Sequence, residues 1–109
     1  MAEKRRAERI HVNLRAHYRS QALSLEGRVC DLSRHGLFLR SDFLDDLGTP
    51  VAVDLEVPNR GIRLRLAGEV VRVDTSPMTS GMGIRFSVLD TWVRRELANL
   101  VIERSYSAV

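Results

Sequence analysis

From Ile10 to Phe86 apolar residues fall on alternate positions in six short runs broken by turn-forming residues, and only after Ser87 does their spacing become helical. No other feature restricts the fold as much. Ile10, Val12, Leu14, Ala16 and Tyr18 alternate with Arg9, His11, Asn13, Arg15, His17 and Arg19, the signature of a strand with one dry face. Leu23, Leu25 and Val29 continue the rhythm into a second strand expected to end near Asp31, where "DLSRHG" brings turn chemistry. "GLFLR" then reads as a short buried strand, and "SDFLDDLGTP" as a loop or single helical turn. Val51, Val53, Leu55 and Val57 form a fourth strand that meets the hairpin turn "PNRG". In the fifth, Ile62, Leu64, Leu66 and Val70 share one parity while Val71 and Val73 take the other, which predicts a bulge or bend near Gly68 where the sheet curves. "GMGIRFSV" is the last strand.

Leu89, Val93, Leu97, Leu100 and Val101 then recur at helical spacing, Ser87 and Asp90 resemble a capping box, and Trp92 is expected to anchor the helix on the barrel. The predicted fold is mainly β, a six-stranded antiparallel barrel with one C-terminal α-helix. A single domain over 1–109 is expected, with a flexible basic arm at 1–9, the barrel at 10–88 and the helix at 89–106.

A chain of 109 residues supports one modest core and therefore one principal site. Its net charge is +3, and because Lys4 is the only lysine, arginines carry the excess. That balance disfavours coating of a long nucleic acid polymer, which calls for a broad basic face. It suits directed, bidentate recognition of a few phosphates or a base edge. Cys30 is the single cysteine, which excludes an internal disulfide framework and fits a reducing, cytoplasmic setting. No stretch approaches a membrane span and no apolar signal-peptide core is present, so the whole chain is expected to be the mature one.

Two short constellations carry chemistry. Arg5 and Arg9 lie four apart, which returns to one side in a strand or a helix, so both guanidiniums can face one ligand, although a terminal basic pair taken alone more often serves only a solvated terminus. In "DLSRHG", Asp31, Ser33 and Gly36 read either as an Asx- or Ser-type turn or as a site. A guanine offers O6 and N7 to an arginine fork while its N1 and N2 hydrogens need an acceptor such as a carboxylate. Arginine and aspartate can thus hold opposite edges of one base.

With "RRAERI" containing RxxxR, "DLSRHG" matching DxSxxG about one hairpin later, and "GMGIRF" ahead of a terminal helix, the chain resembles the PilZ domain family over nearly its whole length. The resemblance implies a six-stranded barrel with a C-terminal helix and, as ligand, the bacterial second messenger cyclic di-GMP. It implies that Arg5 and Arg9 hold guanine edges and phosphates, that Asp31 and Ser33 meet the other guanine edge, and that Gly36 lets the loop approach the ligand. In the family the residue just ahead of RxxxR influences whether a stacked pair is bound, so the resemblance implies that Lys4 leans towards a stacked pair, with Lys4 and Arg6 as further candidate contacts.

The other candidates read as structural. His11, His17 and His35 show no metal-ligand spacing, and no nucleophile or paired acid and base can be assembled, so neither a metal nor a catalytic site is expected. Cys30 is read as a packing residue. The expected function is a stand-alone cyclic di-GMP receptor whose arm orders on binding and signals to a partner protein, in regulation of motility or biofilm. The rival is a nucleotide-independent adaptor of the same fold for a pilus, flagellar or secretion component. A small RNA-binding barrel would need exposed aromatics on a strand face, and only six aromatic residues exist.

Overall fold

A computed structural model describes residues 9–107, with side chains described through residue 104; Lys4, Arg5 and Arg6 lie outside these limits. Six antiparallel strands follow in order, β1 (Ile10–Arg19), β2 (Ser24–Leu32), β3 (Gly36–Arg40), β4 (Pro50–Val57), β5 (Ile62–Asp74) and β6 (Gly81–Phe86), and then one helix, α1 (Thr91–Ser107). The strands close a barrel in the order β1-β2-β3-β6-β5-β4, sealed by pairing of β1 with β4 from Ala16↔Leu55 to Arg19↔Ala52. Closure gives both outer strands a partner, with β1 meeting β4 over Ala16–Arg19 alone. The mainly β barrel with a C-terminal helix anticipated from the alternation is the architecture observed.

Inward residues form continuous rows across the strands. Ile10, Leu32, Leu37, Ile84 and Val70 are register partners from β1 through β5, and all five are buried. Helix α1 packs against β1 and β5 and adds Val93, Leu97, Leu100 and Val101 to the same core. Its N-cap is Asp90, whose Oδ1 accepts the Val93 amide at 2.9 Å. The helix therefore begins at Thr91, two residues after the expected start. Ser87 takes no part in the cap and instead donates its amide to the Ala67 carbonyl at 2.8 Å. Trp92 is 49% exposed and does not anchor the helix, because it sits off the stripe set by Val93 and Leu97.

Tyr18, fully buried, donates its hydroxyl to Asp45 Oδ2 at 2.5 Å and so ties the β3–β4 loop to the barrel. Burial, reinforced by the Asp45 carboxylate, pushes the phenol far above its ordinary pKa. Met82, also fully buried, accepts the Asp45 amide on its sulfur at 3.3 Å.

The β5 irregularity lies at Val71, between the pairs Val70↔Ile84 and Arg72↔Gly83, and not at Gly68. Gly68 answers a different demand: a Cβ there would stand 2.2 Å from the Arg85 carbonyl oxygen, so the glycine permits close approach of β6. A second bulge falls at Cys30, where Val29↔Leu39 is followed directly by Asp31↔Phe38. These two extra residues decide the chemistry of the outer wall.

Candidate ligand-binding site

In a strand without irregularity, Asp31 would share the inward face with Val29. The bulge at Cys30 adds one residue, and the side-chain direction inverts: Val29 and Leu32 point to the core while Asp31 turns outward. The same device at Val71 sets Val70 inward and Arg72 outward. Across the outer wall the registers then align His11, Asp31, Phe38, Gly83 and Arg72 in one row over five strands. Gly83, with no side chain, lets its two neighbours meet over it: the Arg72 guanidinium carbon lies 5.0 Å from the centroid of the Phe38 ring. Phe38 is 7% exposed although it faces away from the core, because Arg72 and the backbone of Gly81 cover it.

Asp31, Phe38, Gly83 and Arg72 of this row line a cleft of about 270 Å³ that also receives Arg9, Ser33, His35, Gly36 and Arg85. Arg85 is partnered by Glu69 at 3.7 Å, whereas Arg9 has no acidic partner among the described residues. The cleft is thus cationic around a single carboxylate.

That carboxylate is held in an unusual way. His11 Nδ1 lies 2.8 Å from Asp31 Oδ1, an ion-pair contact when the ring is protonated. The contact is close in distance but off the line of a hydrogen bond, and Oδ1, shielded from water, has no aligned donor among the described residues. The neighbouring Cys30 thiol is pushed above its usual pKa by burial and then by the Asp31 charge, so it stays protonated and unreactive at neutral pH.

The turn after Asp31 is of the Ser type. Ser33, buried, accepts the amides of His35 and Gly36 on its hydroxyl at 3.1 and 3.3 Å, and its own amide donates to the Gly36 carbonyl at 2.9 Å. Its hydroxyl is therefore engaged in shaping the loop. Gly36 does not occupy the left-handed region; among the described residues only Gly48, Asn59 and Gly61 have positive φ. Its missing Cβ is needed because the Ile84 carbonyl oxygen would be 2.4 Å away.

Of the residues singled out in the sequence, Arg9, Asp31, Ser33 and Gly36 line one cleft, and Lys4, Arg5 and Arg6 lie outside the described residues. Sequence reasoning missed His11, Phe38, Arg72 and Arg85. The parity switch at Val71 was the available signal for Arg72, but only the pairing register brings it to Phe38. Among the described residues no group of three histidine, cysteine or carboxylate side chains is placed to hold a metal, and no helix is long and apolar enough to cross a membrane.

The PilZ domain family model matches residues 3–103, essentially the whole barrel and most of the helix. The chain belongs to the PilZ domain family. Its barrel is similar to the PilZ domain of Escherichia coli YcgR, solved with c-di-GMP, at a TM-score of 0.76 and 15% identity, covering 97% of this chain and 95% of that one. It is also similar to the PilZ domain of CeSA from a cellulose-synthesizing bacterium, at 0.69 and 19% over 88% of this chain and 96% of that one. The Bacillus subtilis inhibitor of motility MotI/DgrA matches at 0.78 and 14%, covering 97% of this PilZ domain and 53% of MotI, so the chain spans about half the length of that protein. No curated protein matches the chain by sequence.

Proposed function

We propose that this PilZ domain is a cytoplasmic, non-enzymatic receptor for cyclic di-GMP that signals by presenting a new surface to a partner protein. The observation that carries the reading is the placement of Arg9 beside the under-satisfied Asp31 carboxylate in one cleft. Arg9 offers a fork to guanine O6 and N7, and Asp31 accepts from the N1 and N2 hydrogens. Support also comes from the c-di-GMP held by the YcgR domain. Arg72 and Arg85 supply further positive charge for the phosphates.

A cleft of about 270 Å³ takes a nucleoside-sized part of the ligand, which leaves the rest for the basic N-terminal arm. Arg5, with Lys4 and Arg6, is assigned to that exposed part of the ligand. Lys4 ahead of the motif favours a stacked pair. Regulation of motility or biofilm is the process that suits such a receptor, in keeping with the name of the MotI neighbour.

Isothermal titration with cyclic di-GMP, with GTP and cyclic di-AMP as controls, tests the proposal and reads the stoichiometry. Arg9→Ala and Asp31→Ala are each expected to weaken binding by about tenfold to a hundredfold, the worth of a hydrogen bond to a charged group, with the far-UV spectrum unchanged. Saturable binding that survives both substitutions would place the ligand elsewhere. No binding at all would leave the nucleotide-independent adaptor as the function.

A further inference from the structure

A second groove of about 570 Å³ runs between the DLSRHG turn, the β6–α1 connection and the first turns of α1. Its apolar surface comes from Phe86, Val88, Leu89 and Ala98 over the buried Leu97, and Val88 is 97% exposed. Arg34 borders it from the turn, and Arg94 and Arg95 from the helix. Several other surface arginines face carboxylates: Arg19 and Arg65 meet Asp54, Arg60 meets Glu96 and Glu103, Arg63 meets Glu56, and Arg85 meets Glu69. Arg34, Arg94 and Arg95 have no acidic partner among the described residues. The first turn of α1 contains no acidic residue, so two guanidiniums follow the positive end of a helix with only the Asp90 cap ahead of them.

We infer that this groove is the docking surface for an acidic amphipathic segment of a protein partner, whose carboxylates pair with Arg34, Arg94 and Arg95 while its apolar side chains cover Val88 and Phe86. Charge complementarity selects an anion. A flat bilayer does not follow a concave groove, and a single-stranded nucleic acid needs exposed aromatic faces, whereas Phe86 is half-buried and Val88 has no π face. The segment's contacts repeat the pattern of a rim of charges around an apolar centre.

The groove shares a wall with the ligand cleft. His35 lines both, and its carbonyl accepts the Phe86 amide at 2.8 Å at the groove's own edge. Ligand gripping Asp31 and pressing on the Ser33–Gly36 turn therefore acts directly on the position of Arg34 and His35. This coupling, unlike the groove itself, rests on the cyclic di-GMP reading.

The test is fluorescence anisotropy of the full chain with a labelled amphipathic peptide of glutamates and leucines. Its lysine twin, a single-stranded RNA and vesicles of phosphatidylcholine with phosphatidylglycerol are titrated in parallel. The glutamate peptide is expected to bind and the lysine twin not to, and both Val88→Asp and the double variant Arg94→Glu with Arg95→Glu are expected to weaken binding about tenfold or more. Cyclic di-GMP calorimetry on the double variant should be unchanged, which separates the two sites. Saturating cyclic di-GMP should shift peptide affinity. Failure of the glutamate peptide to bind, binding indifferent to these substitutions, or preferential binding of RNA or vesicles would overturn the docking surface. If cyclic di-GMP gives no heat with the parent protein while peptide binding still depends on the arginines, the receptor reading fails and the groove stands.

Discussion

Replacing Gly36 by alanine puts a methyl group 2.4 Å from the Ile84 carbonyl oxygen and 3.4 Å from the Arg85 Cα, both fixed backbone atoms of β6. To restore ordinary contact the two strands must part by roughly 1 Å. Phe86 N donates to His35 O at 2.8 Å beside this point, joining the two segments that must part, and a shift of that size breaks or bends this bond. Overpacking of this kind costs about 1–3 kcal/mol and the weakened bond about 1 kcal/mol, so a loss of about 2–4 kcal/mol is expected. Urea denaturation followed by circular dichroism measures it. Gly61→Ala is the control, because Gly61 has a φ of 66° and nothing lies within 4 Å of where its Cβ would stand, which isolates backbone strain of about 1–2 kcal/mol. Gly36→Ala should be the more destabilising of the two although its φ is unremarkable. If it lies within about 0.5 kcal/mol of the parent, or costs less than Gly61→Ala, close strand approach is not why glycine stands at the motif position.

Tyr18→Phe removes the hydroxyl that holds Asp45 and should cost about 1.5–3 kcal/mol. Because the folded phenol is raised above 10.0, its contribution is complete below that pH and is lost as pH rises further, so the phenylalanine variant should lose less stability in alkali than the parent does. Asp54 is held below the usual carboxylate range first by its hydrogen bond from Arg65, so it stabilises the fold above that range and stops doing so as pH falls through its lowered pKa. Thermal melts of Asp54→Asn should accordingly fall short of the parent at neutral pH and converge with it in acid. Asp90→Ala should cost about 1 kcal/mol by removing the α1 cap, seen as a lower melting temperature with helical signal lost first. Ser87→Ala should leave that signal unchanged, since the Ser87 contact with Ala67 is made by the backbone.

Six strands and a helix were legible in the sequence because alternation reports burial one residue at a time, and burial is what a closed barrel imposes on every strand. The turn at "DLSRHG" was legible for a similar local reason: Ser33 bonds to amides two and three residues ahead, and such short-range chemistry needs no tertiary partner. Helix onset falls two residues later than expected because Ser87 and Asp90 are both good caps in isolation, and in the fold the Ser87 backbone is tied to β5 while Asp90 accepts the Val93 amide. Trp92 was misjudged because neighbours on a helix can lie on different faces, and its size suggested burial that the stripe did not grant.

What the sequence alone determined is the set of elements, the closed arrangement they favour and the family to which the chain belongs, since periodicity and short motifs are properties of residues near one another along the chain. Tertiary structure decided which side chains share the outer wall. A single extra residue at Cys30 and another at Val71 reverse the facing of all that follows, and those bulges exist only relative to the strands they pair with. Only across those pairings do His11, Asp31, Phe38, Gly83 and Arg72, far apart in sequence, become one row, and only there does Gly36 meet the carbonyl that requires it to be glycine.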